Sequence, residues 1–301
     1  MRLGMHTYSL YHHGVAEDWA GFTLPWKRQM SCFEMMDYIH ALGLEGLHLD
    51  AKTLDRIYHK NALDRAYLGE VKAHAEELGL YLEFNFAMKS EHYDASVQFD
   101  INDGIAIAHA IGADVAKIGM NINRPRPVAA SRFHPDVVQQ LNNVITTVQT
   151  SLPLIERTGI KIALENHTDA FSEEVIYVLD QIDHPLVGAC IDTVNAIHVM
   201  ENPITAVKNL APRAFTNHFR DNKIVMEPWG LKFTGAPVGG GDLDMKRCYE
   251  LISQNPDVHR INIELDLECP LDRMETALET EKAALLNSID YCRNVLKIGQ
   301  Q

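Results

Sequence analysis

Ile160-Lys161-Ile162-Ala163-Leu164-Glu165-Asn166-His167 is the stretch whose reading decides the fold. It is a short apolar run of strand length that ends in a carboxylate. The pattern recurs downstream: Leu186 to Ile191 ends in Asp192, Ala214-Phe215-Thr216-Asn217 ends in His218, and Ile261-Asn262-Ile263 ends in Glu264. Each run reads as a buried strand, and each stops at a residue able to hold a hard metal ion.

Working outward, helix-Gly-strand junctions occur at Leu42-Gly43-Leu44, Leu78-Gly79-Leu80, Ile111-Gly112-Ala113 and Thr158-Gly159-Ile160. Glycine accepts the left-handed conformation that ends a helix and lets the chain turn back into a strand. Such alternation predicts parallel strands with crossover helices.

Strands are expected at Arg2–His6, Leu44–Asp50, Leu80–Phe86, Ala113–Gly119, Ile160–Glu165, Leu186–Ile191, Ala214–Phe219 and His259–Leu265. Helices are expected between them, including Pro135–Thr158 with a break at Pro153, Ser172–Gln181 capped by Ser172, and Leu243–Ser253 capped by Asp242. A loop fills Asp221–Gly241, and a helix over Arg273–Val295 closes the chain. Eight β-α units in about 300 residues fit a (β/α)₈ barrel, expected as a single domain over residues 1–301 with extended βα loops. The competing open doubly wound sheet lacks its dinucleotide signature, since no strand-turn-helix carries G-x-G-x-x-G.

Composition narrows the function. The net charge of −14 disfavours nucleic acid and acidic membrane surfaces. Five scattered cysteines without a C-x-x-C pair disfavour a disulfide framework and a structural zinc site. The start Met1-Arg2-Leu3-Gly4-Met5-His6 shows no signal-peptide core, and no run of 18 apolar residues occurs, so a cytoplasmic location is expected.

In a barrel of this type the active site sits where strands end. Glu165, Asp192, His218 and Glu264 then lie on consecutive strands, five to eight, around half of the rim. Three carboxylates and an imidazole suit Mn²⁺, Mg²⁺ or Co²⁺ with positions left for substrate. Each acidic residue alone reads equally as a helix cap; the set of four is what argues for a metal.

The segments Leu164-Glu165-Asn166-His167, Ile191-Asp192-Thr193-Val194-Asn195, His218-Phe219-Arg220-Asp221, Val238-Gly239-Gly240-Gly241-Asp242-Leu243-Asp244 and Ile263-Glu264-Leu265 resemble the xylose-isomerase-like sugar isomerase/epimerase superfamily. The resemblance implies one divalent ion, commonly Mn²⁺, held by Glu165, Asp192, His218 and Glu264. It implies that the ion chelates a carbonyl and neighbouring hydroxyl of a keto-sugar or cyclitol, with Glu165 and Glu264 moving protons beside the carbonyl. Ketose epimerases of the superfamily often carry a His three residues after the sixth-strand Asp, where this chain has Asn195.

That departure keeps open a lyase working through the same enolate, such as the catalytic subunit of a C-glycoside deglycosidase acting on 3-keto glycosides with a small partner subunit. An apurinic endonuclease and a non-catalytic sugar-binding barrel rank lower.

His6, His48 and Lys117, with His167, Asn195 and Arg220, are candidate substrate contacts, as are Trp19 and Trp26, whose rings suit the apolar faces of sugars. His6 and His48 read equally as hydrogen-bonded barrel residues, Lys117 as outward-facing, and the tryptophans, Trp229 included, as packing for an oligomer interface. A homo-oligomer is expected. Asn123-Arg124-Pro125-Arg126-Pro127 with Arg132 forms a basic island that reads as a solvated loop, and Gly239-Gly240-Gly241 as a flexible approach to a cap or a ligand-binding turn.

Overall fold

The computed structural model describes residues 1–12, 30–54, 62–90, 98–268 and 275–299, with Lys52 by its backbone alone. Eight strands form the barrel: β1 Arg2–His6, β2 Gly46–Asp50, β3 Tyr81–Met88, β4 Val115–Gly119, β5 Lys161–Glu165, β6 Val187–Asp192, β7 Ala214–His218 and β8 Arg260–Ile263. Every neighbouring pair is parallel, in the order β8-β1-β2-β3-β4-β5-β6-β7. The main crossover helices are α1 Cys32–Ala41, α2 Arg65–Glu77, α3 Ile101–Ala110, α4 Pro135–Thr158, α5 Ser172–Ile182, α6 Pro203–Leu210 and α7 Met245–Ile252, and α8 Ala277–Asp290 follows β8. The expected (β/α)₈ barrel is the observed fold. No helix among the described residues is long and apolar enough to cross a membrane.

The barrel closes between β7 and β8 with one bridge, Phe219 to Ile263. Two backbone bonds make it, Phe219 N to the Asn262 carbonyl at 2.8 Å and Glu264 N to the Phe219 carbonyl at 3.2 Å. Below it the side chain of Asn217 replaces the missing ladder. Its Nδ2 donates to the Arg260 carbonyl at 2.9 Å, and its Oδ1 accepts from Asn262 N at 3.2 Å.

The apolar core lies between strands and helices, with Leu3, Met5, Leu47, Leu49, Ile162 and Leu164 facing outward onto helical residues such as Met35, Ile39, Val71 and Val148. The interior of the barrel is instead largely polar, apart from a small cluster of Val115, Ala163 and Cys190 beneath Lys117, Glu165 and Asp192. Glu83 Oε2 accepts from Thr216 Oγ1 at 2.5 Å and from Asn262 Nδ2 at 2.9 Å, and lies 3.1 Å from His48 Nδ1. Tyr81 donates its hydroxyl to Asn262 Oδ1 at 2.8 Å, and Arg260 stacks over the Tyr81 ring at 4.2 Å. Barrels of this class usually fill this space with Val, Ile and Leu. Gly4 and Gly46 are required here because a Cβ on either would collide with the Tyr81 ring.

Several local expectations change. Helix α4 continues through Pro153, which sits on the exposed side of the helix, as does Gln149, whose carbonyl it deprives of a donor. Helix α5 starts at Ser172, which is buried and bonded to Glu201, so Ser172 does not cap it. The cap of α7 is Asp244, accepting from Arg247 N, whereas Asp242 accepts from Ile224 N at 2.7 Å. Asp221–Gly241 is not an irregular loop: Asp221–Glu227 and Gly230–Ala236 pair as an antiparallel hairpin. Gly239-Gly240-Gly241 wraps the Asp221 carboxylate, which accepts from the backbone N–H of Gly239, Gly241 and Leu243. The expected closing helix is α-helical over Ala277–Asp290 and continues as a wider π-helical stretch over Tyr291–Val295, while its first expected residues, 273 and 274, fall outside the described ones.

Asn217→Leu leaves the buried Arg260 carbonyl and Asn262 N–H unpaired, each costing about 1–3 kcal/mol. Urea denaturation in chelator should show a stability loss of roughly 2–5 kcal/mol. A loss near zero would mean the seam does not depend on Asn217.

Candidate metal centre and active site

Strand ends place the polar groups. β5, β6, β7 and β8 finish at adjacent positions on the rim, so Glu165, Asp192, His218 and Glu264 converge. His218 Nδ1 is the meeting point, 2.9 Å from Glu165 Oε1, 2.9 Å from Glu264 Oε2 and 3.9 Å from Asp192 Oδ2. All four side chains are almost fully buried.

Three carboxylates crowded out of water repel one another strongly. Two cations border them. Lys117, which points inward from β4, is ion-paired with Glu165 Oε2. Arg220 reaches Asp192 Oδ2 at 3.1 Å, Asn195 Oδ1 at 3.3 Å and Asp266 Oδ2 at 3.0 Å. Burial alone would lower the affinity of His218 for a proton, but Glu264 and Glu165 outweigh it and lift its pKa to about 10. Burial likewise opposes ionisation of Glu165, yet Lys117 and His218 prevail and hold it well below the usual carboxylate range. Asp192 is pushed up by burial and by Glu264 and Glu165, against the pull of Arg220.

The field at this point therefore favours positive charge. One proton on Nδ1 cannot serve two carboxylate oxygens at 2.9 Å equally, whereas a divalent ion bonds several oxygens and an imidazole at once. The donor set fits such an ion, and buried trios such as Asp192, His218 and Glu264 have ligand atoms within 4.8 Å of one another. Asn166 braces the set from behind: its Oδ1 accepts from Asp192 N at 2.8 Å and its Nδ2 donates to the Asp192 carbonyl at 3.0 Å. Backbone N–H groups of Val194 and Asn195 donate to Asp192 Oδ1 at 2.7 and 2.8 Å.

A cavity of about 250 Å³ opens over these ligand atoms, small enough for a single sugar-sized molecule. Its described lining includes His6, Lys117, His167, Asn195 and Arg220 together with Glu165, His218 and Glu264. Asp50, Asn85, His198 and Asp266 also line it. His48 does not. It lies beneath His218 with ring centroids 4.9 Å apart, in the polar layer with Glu83. Burial depresses the pKa values of His6, to about 3, and of His48, so both are neutral rings. Trp19 and Trp26 fall outside the described residues.

The basic island takes no part. Arg124 is buried against α5, with Nη1 and Nη2 on Glu174 at 2.7 and 2.9 Å and Nε on Ser131 at 3.0 Å, so the solvated-loop expectation is corrected for it. Glu174 also accepts from the backbone of Phe171 and Phe133. Sequence reasoning overlooked Asn166, His198 and Asp266. An Asn directly after a strand-end carboxylate was the available signal for Asn166, and none pointed to the other two.

Burial raises the Glu83 pKa from 4.5 to about 7, against the opposing pull of Arg260. Between these values the folded chain holds a proton that the unfolded chain has released, so stability falls as pH rises through that window. Glu83→Gln should remove this component. In chelator, the stability of the wild type relative to Glu83→Gln should decline by up to about 3 kcal/mol from pH 5 to pH 8. An unchanged difference would show that Glu83 ionises freely in the fold.

Comparisons with known proteins agree with this architecture. The family described as xylose isomerase-like TIM barrel matches residues 36–292. The uncharacterized protein YihM of Escherichia coli K12 is 25% identical over 238 residues, 67% of this chain and 68% of that protein. A 3-oxo-isoapionate decarboxylase of Pectobacterium atrosepticum is 25% identical over 196 residues, 64% of each chain. The solved D-psicose 3-epimerase of Clostridium cellulolyticum H10 with D-tagatose superposes with a TM-score of 0.67 at 13% identity, covering 98% of this chain and 99% of that one. With a match running from within α1 into the last described helical segment, Tyr291–Val295, this chain belongs to the xylose isomerase-like TIM-barrel family.

Proposed function

We propose that this protein is a divalent-metal-dependent enzyme that moves a proton beside the carbonyl of a keto-sugar or cyclitol, as an isomerase or epimerase. The observation that carries the reading is the convergence of Glu165, Asp192 and Glu264 on His218 Nδ1 beneath a small polar cavity. These four residues are the proposed ligands, and Mn²⁺ is the ion their oxygen-rich set suits best. An ion held there supplies the positive charge that an enolate oxygen requires.

The chain's own groups then divide the work. Glu165 and Glu264 stand on either side of His218 and are the proposed proton carriers. Lys117 keeps Glu165 in the ionised form that a base needs. Arg220 fixes Asp192 and reaches Glu264 Oε1 at 3.8 Å, holding both carboxylates in place. Asn195, with Nδ2 3.5 Å from Glu165 Oε1, offers an amide to a substrate hydroxyl. His6, neutral in its buried setting, is a hydrogen-bonding group rather than a charge. Return of the proton to the opposite face epimerises; return to the neighbouring carbon isomerises.

A second reading is favoured by the similarity to the decarboxylase. In a β-keto sugar acid the C–C bond to the carboxylate breaks, its electron pair becomes the enolate, and CO₂ departs. A proton from an acidic group in the site then completes the product. The charge stabilisation needed is the same, while the abstracting base is not needed.

Protein purified without chelator should carry about one divalent ion per chain. Glu165→Gln and Glu264→Gln should each lower turnover by roughly 10²–10⁴. Incubation with keto-sugars in heavy water should place deuterium on the carbon beside the carbonyl. Label found only in a product one carbon shorter would select decarboxylation. Metal content and turnover unaffected by both substitutions would overturn the site.

A further inference from the structure

The hairpin that follows Arg220 is a large feature that the active site does not use. Asp221–Glu227 pairs with Gly230–Ala236, and its two ends, Asp221 and Ala236, are buried in the body of the barrel. From Lys223 to Phe233 every residue is exposed, so the outer part of the hairpin stands clear of the fold.

Its sequence does not suit that position. Directly opposed residues of an antiparallel pair share a face, and the register opposes Met226 to Leu231 and Ile224 to Phe233. One face of the ribbon is therefore a continuous apolar block of four large side chains. Trp229, 99% exposed, extends it at the turn. The alternate face carries Val225 with Lys232 and Lys223 with Thr234. Six of the twelve large exposed hydrophobics among the described residues fall within these few positions.

Isolated two-stranded ribbons are marginal in water, and a long exposed apolar strand pair is a template for association. The occupant follows from charge and area. The chain carries −14 overall, so two copies repel over most of their surface. On the hairpin Asp221 and Glu227 are balanced by Lys223 and Lys232, which makes it a neutral patch on an acidic molecule. The same overall charge disfavours anionic membranes as the occupant. Taken with Trp229, the four opposed side chains expose roughly 700 Å², against about 800 Å² buried per partner in a standard interface. A two-fold contact uses the same patch on both copies and so requires only that the face fit itself.

We infer that the Ile224, Met226, Leu231 and Phe233 face of the hairpin, with Trp229, is the docking surface for a second copy of this chain. The contact would also reach the site. Gly235 packs directly on the Asp266 carbonyl, Lys232 pairs with Glu268, and Asp266 holds Arg220. Docking would thus steady Asp266 in the cavity wall.

Sedimentation velocity of the full-length protein tests this independently of metal content or turnover. At roughly 10 µM the wild type should sediment as a dimer or a multiple of it. Met226→Lys with Leu231→Lys should halve the particle mass, a loss of at least about a hundredfold in self-affinity, with unchanged circular dichroism. Val225→Lys, on the opposite face, should leave the mass intact. A monomeric wild type, an unchanged mass in the double variant, or equal disruption by Val225→Lys would each overturn the inference. Flotation of a monomeric wild type with neutral phosphatidylcholine vesicles would assign the face to a membrane and overturn it as well.

Discussion

The structure turns on the burial of three carboxylates around one imidazole nitrogen. Charges of like sign removed from water are tolerated only with compensation at close range. Lys117 is supplied by β4, Arg220 by the segment after β7, and His218 by β7 itself. The carboxylates and the compensating groups must arrive from neighbouring strand ends at the same height. That condition requires a closed parallel barrel, whose strands all end at one rim. Asn166, placed directly after Glu165, fixes the height of Asp192 through its two bonds to that residue's backbone.

The same constraint explains the polar interior. A layer of Val and Ile beneath three buried carboxylates would place a low-dielectric wall against them. Val115, Ala163 and Cys190 make up only one side of the interior; the rest of the barrel carries His48, Glu83, Thr216 and Asn262, with Arg260 and Tyr81 at the bottom. Arg260 pairs with Asp114 at 2.9 Å as well as approaching Glu83 at 3.3 Å, so the interior column is tied to the turn that leads into β4. His48 illustrates how the column works: it lies between the Glu83 carboxylate and the His218 ring, itself neutral and fully buried.

The barrel was legible because its signals are local and repeated. Gly43, Gly79, Gly112 and Gly159 each take the left-handed conformation that the helix-to-strand junction needs. The four strand-end ligand candidates were legible for the same reason, as one pattern written four times. What escaped reading depends on partners distant in the chain. Arg124 looked like a solvated base because Glu174, which neutralises it, lies 50 residues away. Asp242 looked like a cap because its real partner, the Ile224 N–H, exists only once the hairpin has formed. The roles of Asn217 and Asn262 exist only at the seam, where side chains replace backbone pairing between strands 45 residues apart in the chain.

The hairpin was hidden for a different reason. Asp221–Gly241 contains Pro, Gly and charged residues in loop-like proportion, and the alternation of Ile224, Met226, Leu231 and Phe233 shows only in register. Its anchorage is polar: the Asp221 carboxylate gathers three backbone N–H groups of the Gly239–Leu243 turn, and Asp242 holds Ile224 N. Polar anchoring at the base frees the apolar residues from any duty in the monomer's own core. Through Asp266 and Arg220, this links an otherwise unused apolar face to the carboxylates on which the barrel is built.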